Sequence, residues 1–165
     1  MEFRELTANE IDVRVGQVYE ERGVTLLLYK NARVDMDILD ETVGPMNWQR
    51  HHSRDNRNCV VSIWDIEKGE WVEKEDVGSE SNTEKEKGVA SDSFKRACVN
   101  WGIGRSLYSA PFIWINWKDV KTDKNNKIKD KWTVRYIEYD NKTISCLVIE
   151  NKAGEVVFSY GTPKA

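Results

Sequence analysis

Lys95 and Arg96 are the sharpest pair of charges in the chain, two long cations side by side in the middle of an amphipathic segment. Neighbours on a helix are turned about 100° apart, which lets such a pair grip successive phosphates along a groove. A Lys-Arg pair on a helix also serves simply as a solvated face. Arg105 and Tyr108 follow the same segment at its glycine-rich end, and an arginine beside an aromatic suits a sugar-phosphate and base contact. Arg50, Arg54 and Arg57 surround a turn containing one acid, Asp55, and form either a second basic surface or a loop kept in solution by its charge. Trp48 at the start of a strand is either a platform for base stacking or core, and core is preferred for Trp48, Trp64 and Trp101. Trp71 is left open between a sheet face and a subunit contact.

Catalytic chemistry finds little footing. No Ser-His-Asp set and no phosphate-cradling glycine loop before a suitable helix is present, and Glu150-Asn151-Lys152 lies by a turn. His51 and His52 are adjacent, so on a strand they point to opposite faces and do not chelate one ion together. Cys59, Cys98 and Cys146 are odd in number, far apart and set among apolar residues, which favours reduced core thiols over a disulfide framework.

These side chains need elements to position them. Thr7 to Val15 opens with a capping residue and spaces Ile11 and Val15 four apart, which predicts a short helix. A strand over Val24 to Lys30 follows, then a second short helix over Arg33 to Val43 ending at Gly44-Pro45, with Val34, Ile38 and Leu39 on its apolar stripe. From Asn47 the period changes to two. Trp48 to His52, Asn58 to Ile66 and Glu70 to Val77, joined by turn-rich segments, predict a three-strand antiparallel meander. Glu84 to Ile103 then places Ala90, Phe94, Ala97, Cys98 and Trp101 on one face of a long helix that should lie on the sheet. Beyond Phe112 the alternation returns in Ile113 to Trp117, Trp132 to Tyr139, Thr143 to Glu150 and Glu155 to Tyr160. The expected fold is α+β: a β-β-β-α core with the long helix packed on an antiparallel meander, plus a C-terminal β-hairpin extension. One domain is expected over residues 1–165, with its core at about 24–114 and the extension at about 115–165.

Composition sets the limits. With 165 residues, seven tryptophans and 39% hydrophobic residues, the chain has enough buriable surface to fold. Neither a membrane-length apolar run nor the charged-then-apolar order of a signal peptide is seen, so a cytoplasmic location is expected. The net charge of −3 hides an uneven distribution. Residues 65–86 carry nine acids against three lysines, whereas residues 118–131 carry six lysines (Lys118, Lys121, Lys124, Lys127, Lys129 and Lys131) against three aspartates. Any groove for an anionic partner must be built from selected basic side chains.

The motifs have a resemblance. Glu75-Asp76-Val77-Gly78 ending a strand, a helix with the core Lys95-Arg96-Ala97 and the terminus Trp101-Gly102, and Arg33 before a short helix that runs into Gly44-Pro45-Met46-Asn47-Trp48 are together similar to the Rad52/Rad22-type single-strand annealing proteins, in their compact bacterial or phage form. The resemblance covers about Val24 to Trp114. It implies a homo-oligomeric ring or arc that binds single-stranded DNA and anneals complementary strands in recombination and repair, without ATP, cofactor or catalytic residues. Arg33, Lys95 and Arg96 inherit backbone contacts, with Arg50, Arg105 and Tyr108 as further DNA-binding candidates. The implied partners are single-stranded DNA, further copies of the chain and a single-strand-binding protein, with no membrane. Val99 and Pro45 stand where longer relatives carry a basic and an aromatic residue, so the contacts assigned to those positions do not transfer; the eukaryotic pattern stops after Arg105, which leaves a second, outer DNA site open, with the 118–131 lysines either its replacement or a solvated loop. The competing functions are a metal-dependent nuclease and a module that binds single strands or recruits a partner without annealing.

Overall fold

A computed structural model of the chain describes residues 1–79 and 87–164. In chain order it contains β1 (Ile11–Tyr19), β2 (Gly23–Lys30), α1 (Ala32–Val43), β3 (Trp48–Ser53), β4 (Asn58–Asp65), β5 (Glu70–Val77), α2 (Lys87–Asn100), β6 (Ile113–Asn116), β7 (Thr133–Asp140), β8 (Thr143–Glu150) and β9 (Val156–Tyr160), with short 3-10 turns at Ala8–Glu10, Arg105–Ser109 and Trp117–Asp119. The class is α+β and every strand pairing is antiparallel. The chain divides into two compact units. The first joins Met1–Arg4 to Asn31–Arg105, and the second joins Glu5–Lys30 to the chain from Ser106 onward.

In the first unit α1 starts at Asn31, whose side chain accepts from Arg33 N, and stops at Gly44, where φ is 87° and the amide donates to Asp40 O. A left-handed φ of that kind suits glycine and closes the helix without strain. Ile38 and Leu39 are fully buried. The sheet order is β3-β4-β5. The turn between β3 and β4 carries positive φ at Arg54, Asp55 and Asn56, the last two being residue types that tolerate it best. Register places Cys59, Val61 and Ile63 beside Asp76, Lys74 and Val72 on one sheet face. Side chains at the end of α2 reach the sheet: Asn100 Nδ2 donates to Glu75 O at 2.9 Å and Asp76 Oδ2 at 3.0 Å, and Trp101, just past the helix, donates from Nε1 to Val61 O at 3.0 Å. Phe94, Ala97 and Cys98 are buried to zero exposure. The expected start of this helix at Glu84 lies outside the described residues.

Gly78 explains its own place in the acidic-Val-Gly signature. A Cβ there would stand 2.6 Å from Ser93 N and 3.0 Å from Ser93 Cα, so the backbone of α2 comes down directly on the end of β5. Asp92 Oδ2 accepts from Ser79 N at 2.8 Å and Ser93 Oγ donates to Asn56 O at 2.8 Å, fastening the same point twice. Because the neighbouring atoms are backbone, they yield only if the helix shifts. Gly78→Ala is expected to cost about 1–3 kcal/mol, read as a lowered thermal midpoint by circular dichroism; an unchanged midpoint would show that the helix is not seated here.

The second unit holds one sheet of order β6-β2-β1-β7-β8-β9. Strands after Phe112, expected as a hairpin extension of the same domain, share a sheet with β1 and β2, and β2 is not part of the meander's sheet. Ile11, Val24, Leu26, Ile113, Ile115, Leu147 and Ile149 form its buried core. The helix expected over Thr7 to Val15 is corrected to one 3-10 turn followed by β1. Its capping signal is real, since Thr7 N donates to Glu10 Oε1 at 2.9 Å. The spacing of Ile11 and Val15 was ambiguous, because residues four apart share a face on a strand as well as on a helix. The β-branched alternation of Ile11, Val13 and Val15, with Asp12 and Arg14 exposed, decides for the strand.

Candidate nucleic-acid interface

Phe94 is the anchor of the cationic face in the first unit. It is fully buried on α2, and two β3 side chains lie on it. Trp48 stacks against its ring at 6.0 Å between centroids, and the Arg50 guanidinium sits 4.7 Å from the ring centre. Strand parity makes this possible, because Trp48, Arg50 and His52 alternate onto the face that also carries Ile63, Val61 and Cys59. A guanidinium on an aromatic face is held electrostatically while its edge stays open to other partners, and Arg50 is exposed. Its charge is felt nearby. Burial first, and then Arg50, hold the His52 imidazole below its usual range, while burial pushes the Cys59 thiol up to about 11 against a smaller opposing pull from Arg50.

Lys95 follows Phe94 in the helix and is half-buried, and Arg96 is exposed. Arg96 leans toward β5, with Nε 3.5 Å from Asp76 Oδ1. With both side chains partly in water, that ion pair contributes little and leaves the guanidinium exchangeable. Two acids of β5 are occupied within the unit: Glu75 accepts from Asn58 Nδ2 on β4 at 2.6 Å, and Asp76 binds Asn100 and Arg96 of α2. Arg33 is exposed in the first turn of α1, where the helix dipole adds positive potential.

Arg105 has a structural post that the sequence did not announce. Its Nε donates to Val99 O at 3.0 Å and its Nη2 to Asn100 O at 2.9 Å, while Lys74 Nζ donates to Asn100 O at 3.2 Å. Together they cap the orphan carbonyls at the end of α2. The signal was available as an arginine just past the helix-ending Gly102 and Gly104. Arg54 and Arg57 stay in the β3–β4 turn, apart from Arg50 on the α2 side of the sheet. Tyr108 belongs to the second unit and is 73% exposed. Trp48 and Trp101 are half-buried against α2 and β4, but the core reading of Trp64 is corrected: it shares the opposite strand parity and meets Trp71 edge-on at 5.6 Å, both partly exposed.

Residues 64–126 match the family model described as Rad52/22 family double-strand break repair protein. The chain is similar to two curated proteins named single-stranded DNA-binding protein DdrA. That of Deinococcus radiodurans is 33% identical over 104 residues, covering 62% of this chain and 50% of the relative; that of Deinococcus deserti is 43% identical over 54 residues, covering 32% and 27%. The chain thus spans half or less of the length of these relatives. No solved structure matches it. No helix among the described residues is long and apolar enough to cross a membrane. The family match contains β5, α2 and β6 entire, so the resemblance carried by the acidic-Val-Gly end of β5 and the Lys-Arg-Ala core of α2 is a resemblance to the Rad52/22 family, and it stands.

Proposed function

We propose that the chain binds single-stranded DNA along the cationic face of its Asn31–Arg105 unit and anneals complementary strands in repair, without ATP, as an oligomeric ring or arc. The observation that carries the reading is Arg50 laid on the buried Phe94 ring next to Lys95 and Arg96. Three cations from β3 and α2 are mounted on rigid elements and two of them are exposed, as a phosphate track requires. The names of the DdrA relatives add support for single-stranded DNA as the ligand. In this arrangement α2, packed on the meander, forms one wall of the groove, and Arg33 adds a fourth backbone contact. Bases held outward on a fixed backbone pair with a complementary strand at a lower ordering cost.

The oligomer reading has its own support in the two edges of the β3-β4-β5 sheet. β5 carries Glu70, Glu73, Glu75 and Asp76 against one lysine, Lys74, whereas β3 carries Arg50, His51 and His52 and no acid. Unequal edges favour a head-to-tail contact between copies, which closes into a ring or continues as an arc. A single-strand-binding protein is the proposed loading partner.

The test is annealing of two labelled complementary strands in EDTA without nucleotide. The expected result is a duplex with both strands intact on a denaturing gel. Arg33→Ala should slow annealing at least as much as it weakens binding, while Lys68→Ala, in the β4–β5 turn, should change neither. A requirement for magnesium and ATP, or shortened strands with purified protein, would replace this reading with a nuclease.

A further inference from the structure

The face of the β3-β4-β5 sheet turned away from α2 is uncovered within its unit, and it is not simply polar. Register stacks it in rungs, with Trp64 opposite Trp71, Ser62 opposite Glu73 and Val60 opposite Glu75, all of the parity opposite to Val61 and Ile63. The two indoles meet edge-on at 5.6 Å between centroids. Trp64 is 39% exposed and Trp71 38%. A tryptophan pair left partly in water on an open sheet is a surface that another molecule covers with profit, since indoles carry large contact area and a polar N–H in one rigid group.

Charge says what this face takes. Arg50 and Lys74, the two cations of the three strands, share a rung with Val61 on the α2 side, where they lie over the rings of Phe94 and Trp101. The open face keeps Glu73 and Glu75 and has no lysine or arginine. Ser62 Oγ donates to Glu73 Oε1 at 3.4 Å and Asn58 Nδ2 to Glu75 Oε1 at 2.6 Å. Both donors are neutral, so they orient the carboxylates and leave their charge. Lys68, in the turn at the tryptophan end, is matched by Asp65 Oδ2 at 3.8 Å, and Arg54 and Arg57 stand at the other end of the sheet in the β3–β4 turn. Indoles beside carboxylates ask for a group that is flat and weakly hydrated on its faces and cationic at its edge, which describes a guanidinium. Lysine meets the charge but presents no flat face.

We propose that this open face docks a partner protein through an extended, arginine-bearing segment laid along β5, with guanidinium groups on Trp64 and Trp71 and on the Glu73 and Glu75 carboxylates. Trp71, Glu73 and Glu75 recur at every second residue, about 6.8 Å apart along a strand, and an extended segment with arginine at alternate positions has the same repeat. The proposal goes beyond strand binding and does not depend on it. The face lies across the sheet from Arg50 and α2, and its negative charge repels a phosphate backbone. A copy paired along the β5 edge would bond in the plane of the sheet and leave the face open.

Anisotropy titrations of the full chain with a fluorescein-labelled peptide of alternating arginine and serine, set against its lysine-and-serine counterpart, test it. The arginine peptide is expected to bind about fivefold more tightly than the lysine peptide, and Trp71→Leu, which keeps an apolar side chain without the rings, is expected to remove that preference. Glu73→Gln should weaken both peptides and flatten their salt dependence. No binding, equal binding of the two peptides by the wild-type chain, or an arginine preference that survives Trp71→Leu overturns the proposal, the last two leaving only an acidic surface. A change of assembled mass in light scattering with Trp71→Leu overturns it as well, by making the pair a contact between copies, and a loss of oligothymidylate affinity in that variant would assign the tryptophans to the strand site instead. Should Trp71→Leu melt early by circular dichroism, Glu73→Gln decides: unchanged affinity for the arginine peptide sinks the assignment.

Discussion

Lys95→Ala combined with Arg96→Ala is expected to lower single-strand affinity by roughly tenfold or more at 0.1 M salt, and to reduce the slope of log affinity against log salt by about 1.4. Each phosphate neutralised on a single strand contributes about 0.7 to that slope, and the variant removes two. Arg96 gives up only a long, partly exposed contact with Asp76, so the fold is expected to survive, and circular dichroism checks it. An unchanged slope would reject the assignment of these side chains to the backbone track. A changed slope with unchanged stability would separate the track from the helix that carries it.

Phe94→Ala should be the most destabilising change in the first unit, by about 3–5 kcal/mol, or a fall in thermal midpoint of roughly ten degrees or more. The ring is fully buried, supports Trp48 at 6.0 Å and gives Arg50 its aromatic face. Phe94→Leu separates the two roles. Leucine retains most of the buried volume but no π face, so it should recover much of the stability while leaving Arg50 without its mount. Thermal melts measure the first effect and oligonucleotide binding the second. Equal binding by Phe94→Leu and wild type would show that Arg50 needs no platform.

Local period made much of this structure legible. The boundaries of α1 and of β3, β4 and β5 follow from Gly44, from the Arg54-Asp55-Asn56 turn and from Gly69, because these residues permit backbone conformations that others resist. Strand parity also carried information that was not used. Counting by twos from Trp48 puts Arg50 and His52 on the helix side and leaves Arg54 and Arg57 in the turn, so Arg50 was separable from its neighbours in the sequence. Trp64 shares parity with Asn58 and Ser62 rather than with Val61, and this argued against a core position. The partnership of β2 with β1 and β6 was beyond reach, because no local pattern states which distant strand supplies the hydrogen bonds. Arg105 was hidden for a different reason: a cap and a phosphate contact ask for the same side chain.

The cysteines bear on how the protein can be observed. Cys59, Cys98 and Cys146 are all buried, and burial holds the Cys59 thiol at about 11, far from the thiolate that alkylating reagents need at neutral pH. The native sulfurs are therefore silent to labelling while the chain is folded. Lys68→Cys, in the β4–β5 turn, or Ser159→Cys in the second unit, both exposed positions, would supply a single reactive handle without stripping the core of its own cysteines. One fluorophore per subunit, placed on either unit, would report when a strand arrives and how many copies have gathered on it.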